Sequence, residues 1–380
     1  MTNRLLLSAL LVVSITLSGG ARATAFSGIY VFGDSLSDSG SDLNLSSAIH
    51  SVNPAFPIVP GAPADLAGRF SNGPVAVEYL ANILGLPLTP HYVTPPFLGG
   101  QTAGTNYAQG GATTGSENAS LPGSLGNNLS TGFKGVTGEV KDYRNSVATA
   151  NPTALYIVWG GPNDFIHPGS TATLPSCKTA INPAICTGVT NLANAVGLLA
   201  SMGAEHILVP NMPDLGVTPK SIAAGPATVA AAHSLSAAFD AALAVALLNL
   251  SAQSPGVIVP VDTFSLVDQI VHDPSAFGFL DVSHPCLTGS SADSTSSISA
   301  ACTMTGADHY LFWDDIHPTT RVDMILAGQL GLALGVPEPA SAVLLAIGLT
   351  LLVSLRYRRF QGCERADVLL GEPGHRGQSG

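Results

Sequence analysis

The chain has 380 residues, and 46% of them are hydrophobic. A chain of this size and composition can bury a large core, close to the upper size for one domain, which argues against a mainly disordered protein. Residues 24–335 contain seven Lys and Arg against 21 Asp and Glu, a net charge of −14. A surface that negative repels phosphate backbones, so nucleic acid is not an expected partner.

The first 23 residues follow the order of a secretory signal peptide. Arg4 precedes an apolar run from Leu5 to Leu17, and small residues follow, ending in Ala21-Arg22-Ala23. We expect cleavage after Ala23 and export of the rest of the chain. The alternative, a transmembrane helix, needs about 20 apolar residues, and this run is shorter.

The first predicted strand leads into a serine. An apolar run from Gly28 to Phe32 is followed by Gly33-Asp34-Ser35. Ligand crevices of open parallel sheets lie at the carboxyl ends of the strands, and Gly33 permits a tight turn that leaves the Ser35 hydroxyl accessible. Gly-Asp-Ser is also an ordinary turn sequence, so this segment alone does not assign a function.

Further apolar runs alternate with helical patterns along the chain. Predicted strands lie at Leu155 to Trp159, His206 to Pro210 and Val257 to Val261, and predicted helices at Val75 to Leu84, Asn191 to Ser201 and Pro226 to Leu250. This alternation indicates βαβ units and a parallel sheet covered by helices on both faces. Residues 99–138 and 288–305 are rich in Gly, Ser, Thr and Asn, which predicts long surface loops.

Two glycine-containing segments can supply hydrogen-bond donors to a negatively charged oxygen. The first, Thr105 to Ala112, ends in Gly110 and Gly111, whose backbone amides can approach a ligand closely. The second follows the strand that ends at Trp159 and places the Asn163 side chain at the same sheet edge. Either segment alone is equally consistent with a plain glycine turn.

The four central cysteines form two neighbouring pairs, Cys177 with Cys186 and Cys286 with Cys302. In an exported protein we expect each pair to close a short loop as a disulfide. A zinc site is the alternative, but no C-x-x-C or H-x-x-x-H spacing accompanies the cysteines. Cys363 is left over.

A serine nucleophile needs a base, and His317 is the strongest candidate among ten histidines. Asp314 lies three residues earlier, so it can fold back to the imidazole, fix its tautomer and stabilise the imidazolium. Asp315 is expected to point away. The alternative is an acidic cap on a helix that begins near Thr319, which is compatible with catalysis. Two histidines of predicted elements are interpreted as core or surface residues: His206 in a strand and His233 in a helix.

The C-terminal region has a Pro-Glu-Pro motif at residues 337–339, an apolar segment from Ala340 to Leu355, and arginines at 356, 358 and 359. The apolar segment is short for a membrane span but can cross with help from its flanks. The arginines favour the cytoplasmic side. A buried final helix is the alternative, although the segment has no polar face.

Four of these segments, FGDSLSDSG, TNYAQGGA, GGPND and DDIHP, resemble the GDSL branch of the SGNH hydrolases, whose blocks carry Ser, Gly, Asn and His in this order. The resemblance extends to GRFSNGPVAVEYLA, VPNMPDLGVTP and PSAFGFLDVSHPCL and spans about residues 25 to 335. A G-x-S-x-G elbow does not occur in the sequence, which argues against an α/β-hydrolase.

The resemblance implies a flavodoxin-like three-layer α/β/α sandwich over residues 24–335, with a mainly parallel sheet. It implies Ser35 as nucleophile and His317 as base, oriented by Asp314. It also implies an oxyanion hole from the Ser35 amide, a glycine of the second block and the Asn163 side chain; we prefer Gly111 to Gly110. No cofactor or metal is expected.

The sequence departs from many relatives after the serine motif. Residues 39–44, Ser-Gly-Ser-Asp-Leu-Asn, stand where many relatives have a shorter Thr-Gly-Asn. The resemblance therefore does not predict the shape of the acyl pocket, but its prediction of the triad is unaffected. Asp38, Asp42 and Asn44 suggest a calcium loop, but their spacing misses the EF-hand pattern, so helix capping is expected instead.

The tail resembles a PEP-CTERM sorting signal at residues 336–359, followed by residues 360–380 of unknown role. That resemblance implies processing by an exosortase and a place at the cell surface, in the extracellular matrix or at the outer membrane of a Gram-negative bacterium.

The working hypothesis is an exported, monomeric serine esterase or lipase that forms an acyl-serine intermediate. Acyl esters, lipids and O-acetylated polysaccharide all fit as substrates, and the sorting signal favours the last. Transfer of the acyl group to an alcohol acceptor is an alternative, as is a non-catalytic surface protein with a decayed site. The intact Ser, Asn, Asp and His set argues against decay.

Overall fold

A computed structural model describes residues 26–336, except residues 62, 64–66, 120–130, 168, 255 and 290–295. The predicted signal peptide at 1–23 and the Pro-Glu-Pro motif, apolar segment and arginines of the tail lie outside the described residues. These remain predictions.

The central sheet has four parallel strands in the order β1-β2-β3-β4. They are Ile29–Gly33 (β1), Leu155–Trp159 (β2), His206–Pro210 (β3) and Val257–Val261 (β4). Three of the four predicted strands are confirmed to the residue. The first is shifted by one position, because Gly33 still pairs with Trp159.

The outer edge of β1 is covered by the first of the two glycine-containing segments. Asn106 bridges Val31 in parallel, the Val31 amide donates to the Thr105 carbonyl at 3.1 Å, and the Tyr107 amide donates to the Val31 carbonyl at 2.8 Å. The sequence indicated only a surface loop here. This pairing carries Gly110 and Gly111 to the carboxyl end of β1.

Helices cover both faces of the sheet and complete the predicted α/β/α sandwich. The longer ones are Ser41–Val52 (α1), Ala76–Leu84 (α2), Val136–Ser146 (α3), Pro183–Ser201 (α5), Pro226–Ser251 (α7), Thr263–His272 (α8) and Thr320–Ala333 (α11). The shorter ones are Asn163–Ile166 (α4), Pro219–Ala224 (α6), Pro274–Phe277 (α9) and Ala300–Thr305 (α10).

Side chains of the strands alternate between two hydrophobic cores, as the period of two in a strand requires. In β1, Val31 is fully buried with α2, α8 and α11, whereas Phe32 is fully buried on the face of α3, α5 and α7. Helix α2 packs against α11, and α5 packs against α7. Both faces are therefore buried along β1, β2 and β3, which explains why these strands are continuous apolar runs.

Within the described part of the chain, two helices, α5 and α7, are long and apolar enough to cross a membrane by length and composition alone. Each packs one face on the sheet, through residues such as Leu192 and Leu199 of α5 and Phe239 of α7. Leu248, on the outer face of α7, has 70% of its surface exposed to solvent. Helix α5 starts eight residues before its predicted start, because Pro183 occupies its first turn and the Asn182 side chain accepts the amides of Ala184 and Ile185.

Short strands lie beside the main sheet and carry the end of the chain back to it. Asp281–Pro285 (β5) pairs in parallel with Tyr310–Phe312 (β8), and Leu287–Thr288 (β6) pairs with Ser297–Ile298 (β7). The predicted loop at 288–305 is thus wrong in its second half, where β7 and α10 form. The Ser299 side chain caps α10 by accepting the Cys302 amide, and Cys302 anchors the helix in the core.

Candidate active site

Ser35 lies in a tight turn directly after β1. Gly33 must be glycine, because a side chain there would collide with the carbonyl oxygen of Trp159. The carbonyl of Asp34 then accepts the amides of Ser37 at 2.9 Å and Asp38 at 3.0 Å. This turn leaves the Ser35 side chain facing a cavity, although only 9% of the residue is exposed.

His317 and Asp314 reach Ser35 from the turn that follows β8. Oδ1 of Asp314 accepts the backbone amides of Ile316 at 3.0 Å and His317 at 2.7 Å, which folds the carboxylate back toward the ring. Nδ1 of His317 lies 2.8 Å from Oδ2 of Asp314, and Nε2 lies 2.8 Å from Oγ of Ser35. The three predicted residues therefore form one hydrogen-bonded chain.

The electrostatics of this chain favour a stronger base than an isolated histidine. Burial lowers the pKa of His317, but the adjacent Asp314 carboxylate raises it, and the net pKa lies above its usual value. Asp314 itself has no exposed surface. Asp315 is half-buried, its pKa is raised by burial and by Asp314, and its carbonyl accepts the Lys220 amide at 2.9 Å.

The first glycine-containing segment, Thr105 to Ala112, is held in place by side chains around it. The Gly110 amide donates to Oδ2 of Asp38 at 3.1 Å, and Asn118 Nδ2 donates to the Gly110 carbonyl at 2.8 Å. The Gly111 carbonyl accepts the Ala119 amide at 2.8 Å, and Gly111 has a φ of 72°. The Gly111 amide has no hydrogen-bond acceptor among the described residues. Of the two glycines, Gly111 therefore has the amide that remains available to a substrate.

Asn163 stands at the start of α4, at the carboxyl end of β2. Its Nδ2 donates to the Ala112 carbonyl at 3.1 Å, which joins it to the residue after Gly111. Asn163 and Ser35 line the same cavity, whereas Gly111 is not among the residues that line it. The neighbouring Asp164 accepts the Thr114 amide at 2.9 Å and its hydroxyl at 2.7 Å, which ties α4 to the same loop.

The cavity beside Ser35 is mainly apolar. Its volume is about 60 Å³. Six polar residues lie around it, among them Ser35, Asn163 and His317. The apolar residues that line it come from the loops and from the core beneath: Leu36, Pro162, Ile166, Pro213, Leu215, Val267, Leu311, Phe312, Ile316, Pro318, Val322 and Leu326.

Four buried carboxyl groups behind Ser35 were not identified as a group from the sequence. They are Asp34, Asp38, Asp42 and Glu139, and none exposes more than 1% of its surface. Burial raises the pKa of Asp34 to about 7 and that of Asp38 to about 6. Asp38 caps α1, as expected. Nδ2 of Asn44, the third of the suggested calcium ligands, donates to the Tyr92 carbonyl at 3.0 Å.

A second histidine also has a carboxylate partner. Nδ1 of His233 lies 2.6 Å from Oδ2 of Asp214, and hydrogen bonding to that carboxylate raises the pKa of His233. With Asp268, these residues place three possible ligand atoms within 4.8 Å of one another. The sequence indicated an ordinary core or surface histidine. His206 lies in β3 and packs its ring against Phe26 at 5.3 Å.

The cysteines pair as expected in the structure. Cys177 lies beside Cys186 with a Cα–Cα distance of 5.6 Å, and Cys286 lies beside Cys302 with a distance of 5.1 Å. Both distances fall in the range of disulfides. Formation of the bonds in the exported protein remains a prediction.

Comparison with known proteins places the chain in a family. The sequence profile of the GDSL-like lipase/acylhydrolase family matches residues 29–330. A GDSL esterase/lipase of Arabidopsis thaliana is 27% identical, with 80% of this chain and 89% of the relative covered. A phosphatidylcholine-sterol acyltransferase of Aeromonas hydrophila is also 27% identical, with 83% and 92% covered. The acetylxylan esterase Axe2 of Geobacillus stearothermophilus is similar in structure with a TM-score of 0.40, at 12% identity and with 82% and 96% covered.

The family profile covers both ends of the hydrogen-bonded chain, from the strand before Ser35 to the helix after His317. On this evidence the protein belongs to the GDSL-like lipase/acylhydrolase family of carboxylic ester hydrolases.

Proposed function

We propose that this protein is a serine esterase in which Ser35 is the nucleophile, His317 the general base and Asp314 the residue that orients His317. The observation that carries the proposal is the chain of two 2.8 Å contacts from Asp314 through His317 to Ser35. Removal of the hydroxyl proton by His317 is what makes serine an effective nucleophile.

The reaction proceeds in two steps. Nε2 of His317 takes the Ser35 proton as Oγ attacks the ester carbonyl, and the imidazolium then donates that proton to the leaving alcohol. Water next attacks the acyl-serine, again with His317 as base, and the acid is released. Asp314 accepts from Nδ1 throughout and stabilises the imidazolium.

The oxyanion of each tetrahedral intermediate is placed among three donors: the Ser35 amide, the Gly111 amide and Nδ2 of Asn163. The available Gly111 amide and the position of Asn163 on the cavity wall support this assignment. Donors fixed in advance bind the charged oxygen more strongly than the ground-state carbonyl, so they lower the barrier.

The apolar cavity supports an acyl chain longer than acetate. Burying each methylene contributes about 0.8 kcal/mol, and the partly exposed Leu36, Ile166 and Ile316 offer such surface in the cavity that Ser35 also lines. This favours an acyl ester or lipid over O-acetylated polysaccharide, the substrate that the sorting signal suggested. Export and surface sorting stay proposals that rest on the two terminal segments, and the monomeric state stays a proposal as well.

Acyl transfer to an alcohol remains the second candidate, because the acyltransferase relative is as similar as the esterase relative. Adding an alcohol acceptor to the assay distinguishes the two reactions by their products.

The proposed function is tested with a fluorophosphonate probe and a series of p-nitrophenyl esters from acetate to laurate. We expect peptide mass spectrometry to show that the probe labels Ser35. We also expect the highest kcat/KM in the series for an ester whose acyl chain is longer than acetate. Labelling at another residue, or none, would contradict the assignment of Ser35. A maximum at acetate would contradict the acyl-chain assignment alone.

A further inference from the structure

Two carboxyl groups lie side by side behind the nucleophile, Asp38 and Asp42. Neither has any exposed surface, and neither takes part in the ion pairs between described residues. Burying an unpaired charge is costly, so two such residues in contact require a specific arrangement. The sequence alone identifies them only as polar residues at the start of a helix.

Asp38 has the contacts of an ionised carboxylate. Its Oδ1 accepts the amides of Gly40 at 2.8 Å and Ser41 at 2.6 Å, and its Oδ2 accepts those of Asp42 and Gly110, both at 3.1 Å. Three of these amides belong to the start of α1, where the helix dipole also favours negative charge. Four amide donors can replace the water that a buried carboxylate has lost.

Asp42 has the contacts of an acid that keeps its proton. Neither of its oxygens accepts a hydrogen bond from a described residue. Burial raises its pKa well above the usual range, and the charge of the neighbouring Asp38 raises it further, while the Gly110 amide opposes the rise. Two carboxyl groups in contact cannot both ionise, so the pair holds one proton. Because Asp38 already accepts four amides, the proton belongs on Asp42, from which it can be donated to Asp38.

The pair connects the two parts of the proposed active site. The Asp38 amide donates to the Asp34 carbonyl at 3.0 Å, so Asp38 is part of the turn that carries Ser35. Its carboxylate holds the Gly110 amide, one residue before Gly111. Asp42 lies against the same glycine, since Oδ2 is 2.6 Å from the place that a Gly110 Cβ would occupy.

We propose that Asp38 and Asp42 are positioning residues, a carboxylate and a carboxylic acid that together fix the separation between the Ser35 turn and the Gly111 amide. This inference rests on the proposed function, because it concerns the geometry of that reaction. A shift of the donor loop by about 1 Å relative to the nucleophile is enough to lower the rate about a hundredfold.

Exchange of each carboxyl for an amide tests the pair, because the two residues should respond differently. Asp42→Asn keeps the shape and still donates to Asp38, so kcat should stay within about threefold of wild type. Asp38→Asn replaces one acceptor oxygen by an NH₂ group that faces two amide donors. We expect kcat to fall about a hundredfold with little change in KM.

Two further variants separate positioning from general stability. In Asp42→Leu the new side chain is similar in size but cannot donate a hydrogen bond to Asp38. We expect kcat to fall about tenfold, which corresponds to the loss of one hydrogen bond to a charged group. This variant also keeps the test decisive if Asp38→Asn does not fold. Asp240→Asn is the matched control, a carboxyl on α7 that accepts the Met212 amide at 2.9 Å, and it should change Tm but not kcat.

The kcat of each variant is calculated per active site that the fluorophosphonate probe labels. Unfolded protein is not labelled, so it does not lower the measured kcat. Equal kcat in Asp38→Asn and wild type, or equal kcat in Asp42→Leu and Asp42→Asn, would overturn the proposal. Loss of activity in Asp42→Asn that added Ca²⁺ restores would overturn it too, since the pair would then hold a cation. Failure of wild type to label or to hydrolyse any ester refutes the proposed function instead.

Discussion

Two turns at the same edge of the sheet bury carboxylates, and they stabilise the charge in different ways. In the His317 turn, Asp314 is paired with an imidazole that can gain or lose a proton. In the Ser35 turn, Asp38 is surrounded by backbone amides, and burial raises the pKa of the neighbouring Asp42 well above its usual range. The first arrangement suits proton transfer, and the second suits a fixed geometry.

The largest expected effect is the loss of the nucleophile from the Ser35 turn. Ser35→Ala should lower kcat about 10⁵- to 10⁶-fold, because the base and the oxyanion donors remain but no acyl-serine can form. The substitution removes one hydroxyl that is not part of the core, so Tm should change little. Steady-state ester hydrolysis and thermal unfolding measure the two quantities. Full activity would refute the assignment of Ser35.

Next in size is a change in the His317 turn. Asp314→Asn should lower kcat about 10³- to 10⁴-fold, because the amide no longer stabilises the imidazolium or fixes the tautomer. The acid limb of the pH–rate profile should also move to lower pH. Asp314 raises the pKa of His317, and the base works only when neutral, so wild type loses activity below that raised pKa. A limb that does not move would mean that Asp314 does not set the pKa of His317.

Asn163→Ala tests the oxyanion site between the two turns. We expect kcat to fall about 10²- to 10³-fold, since its amide binds the developing oxyanion more strongly than the ground-state carbonyl. KM should change much less. If kcat stayed unchanged and kcat/KM fell only as much as the substrate affinity, Asn163 would bind the substrate in its ground state and would not stabilise the oxyanion. Asn44→Ala is a control, because Asn44 bonds the Tyr92 carbonyl instead.

The smallest effect is on stability. The pKa is raised to about 7 for Asp34, about 6 for Asp38 and about 7 for Asp240, in each case chiefly by burial. Through these three groups the folded protein binds more protons than the unfolded chain between about pH 4 and 7, and their contribution to stability should fall as pH rises through this window. The raised pKa of His317 acts in the same direction.

Thermal unfolding at several pH values measures this slope. Tm should be higher near pH 5 than near pH 7.5, and Asp240→Asn should flatten the slope without touching either turn. A Tm that rises steadily from pH 5 to 7.5 would show that these carboxyls are not protonated in the folded protein.

The sequence predicted the sheet well because both of its faces are buried. Strands covered by helices on each side read as continuous apolar runs, so their limits could be assigned to within one residue. The edge segment at Asn106 was missed because it pairs through its backbone and has no apolar pattern of its own. The early start of α5 was missed because its first turn depends on the Asn182 cap.

Placement of Ser35, His317 and Asp314 could be anticipated, since the spacing of Asp314 and His317 is local and the end of a parallel strand is a known location for ligands. The choice between Gly110 and Gly111 could not be derived from composition, because it depends on which amide Asp38 occupies. Asp38 and Asp42 resemble solvated residues of a helix start. They are buried because the loop that contains Gly110 packs against them.

The Asn106 segment has a counterpart at the opposite side of the sheet. In β4, Val257 and Val261 direct their backbone groups toward β3, so those of Pro260 point outward. Proline has no N–H, and one donor is therefore missing from that outer edge. Unpaired strand edges are templates on which another chain can add a strand and start aggregation. With the β1 edge covered and the β4 edge interrupted, the described sheet presents no uninterrupted edge on which another chain could add a strand.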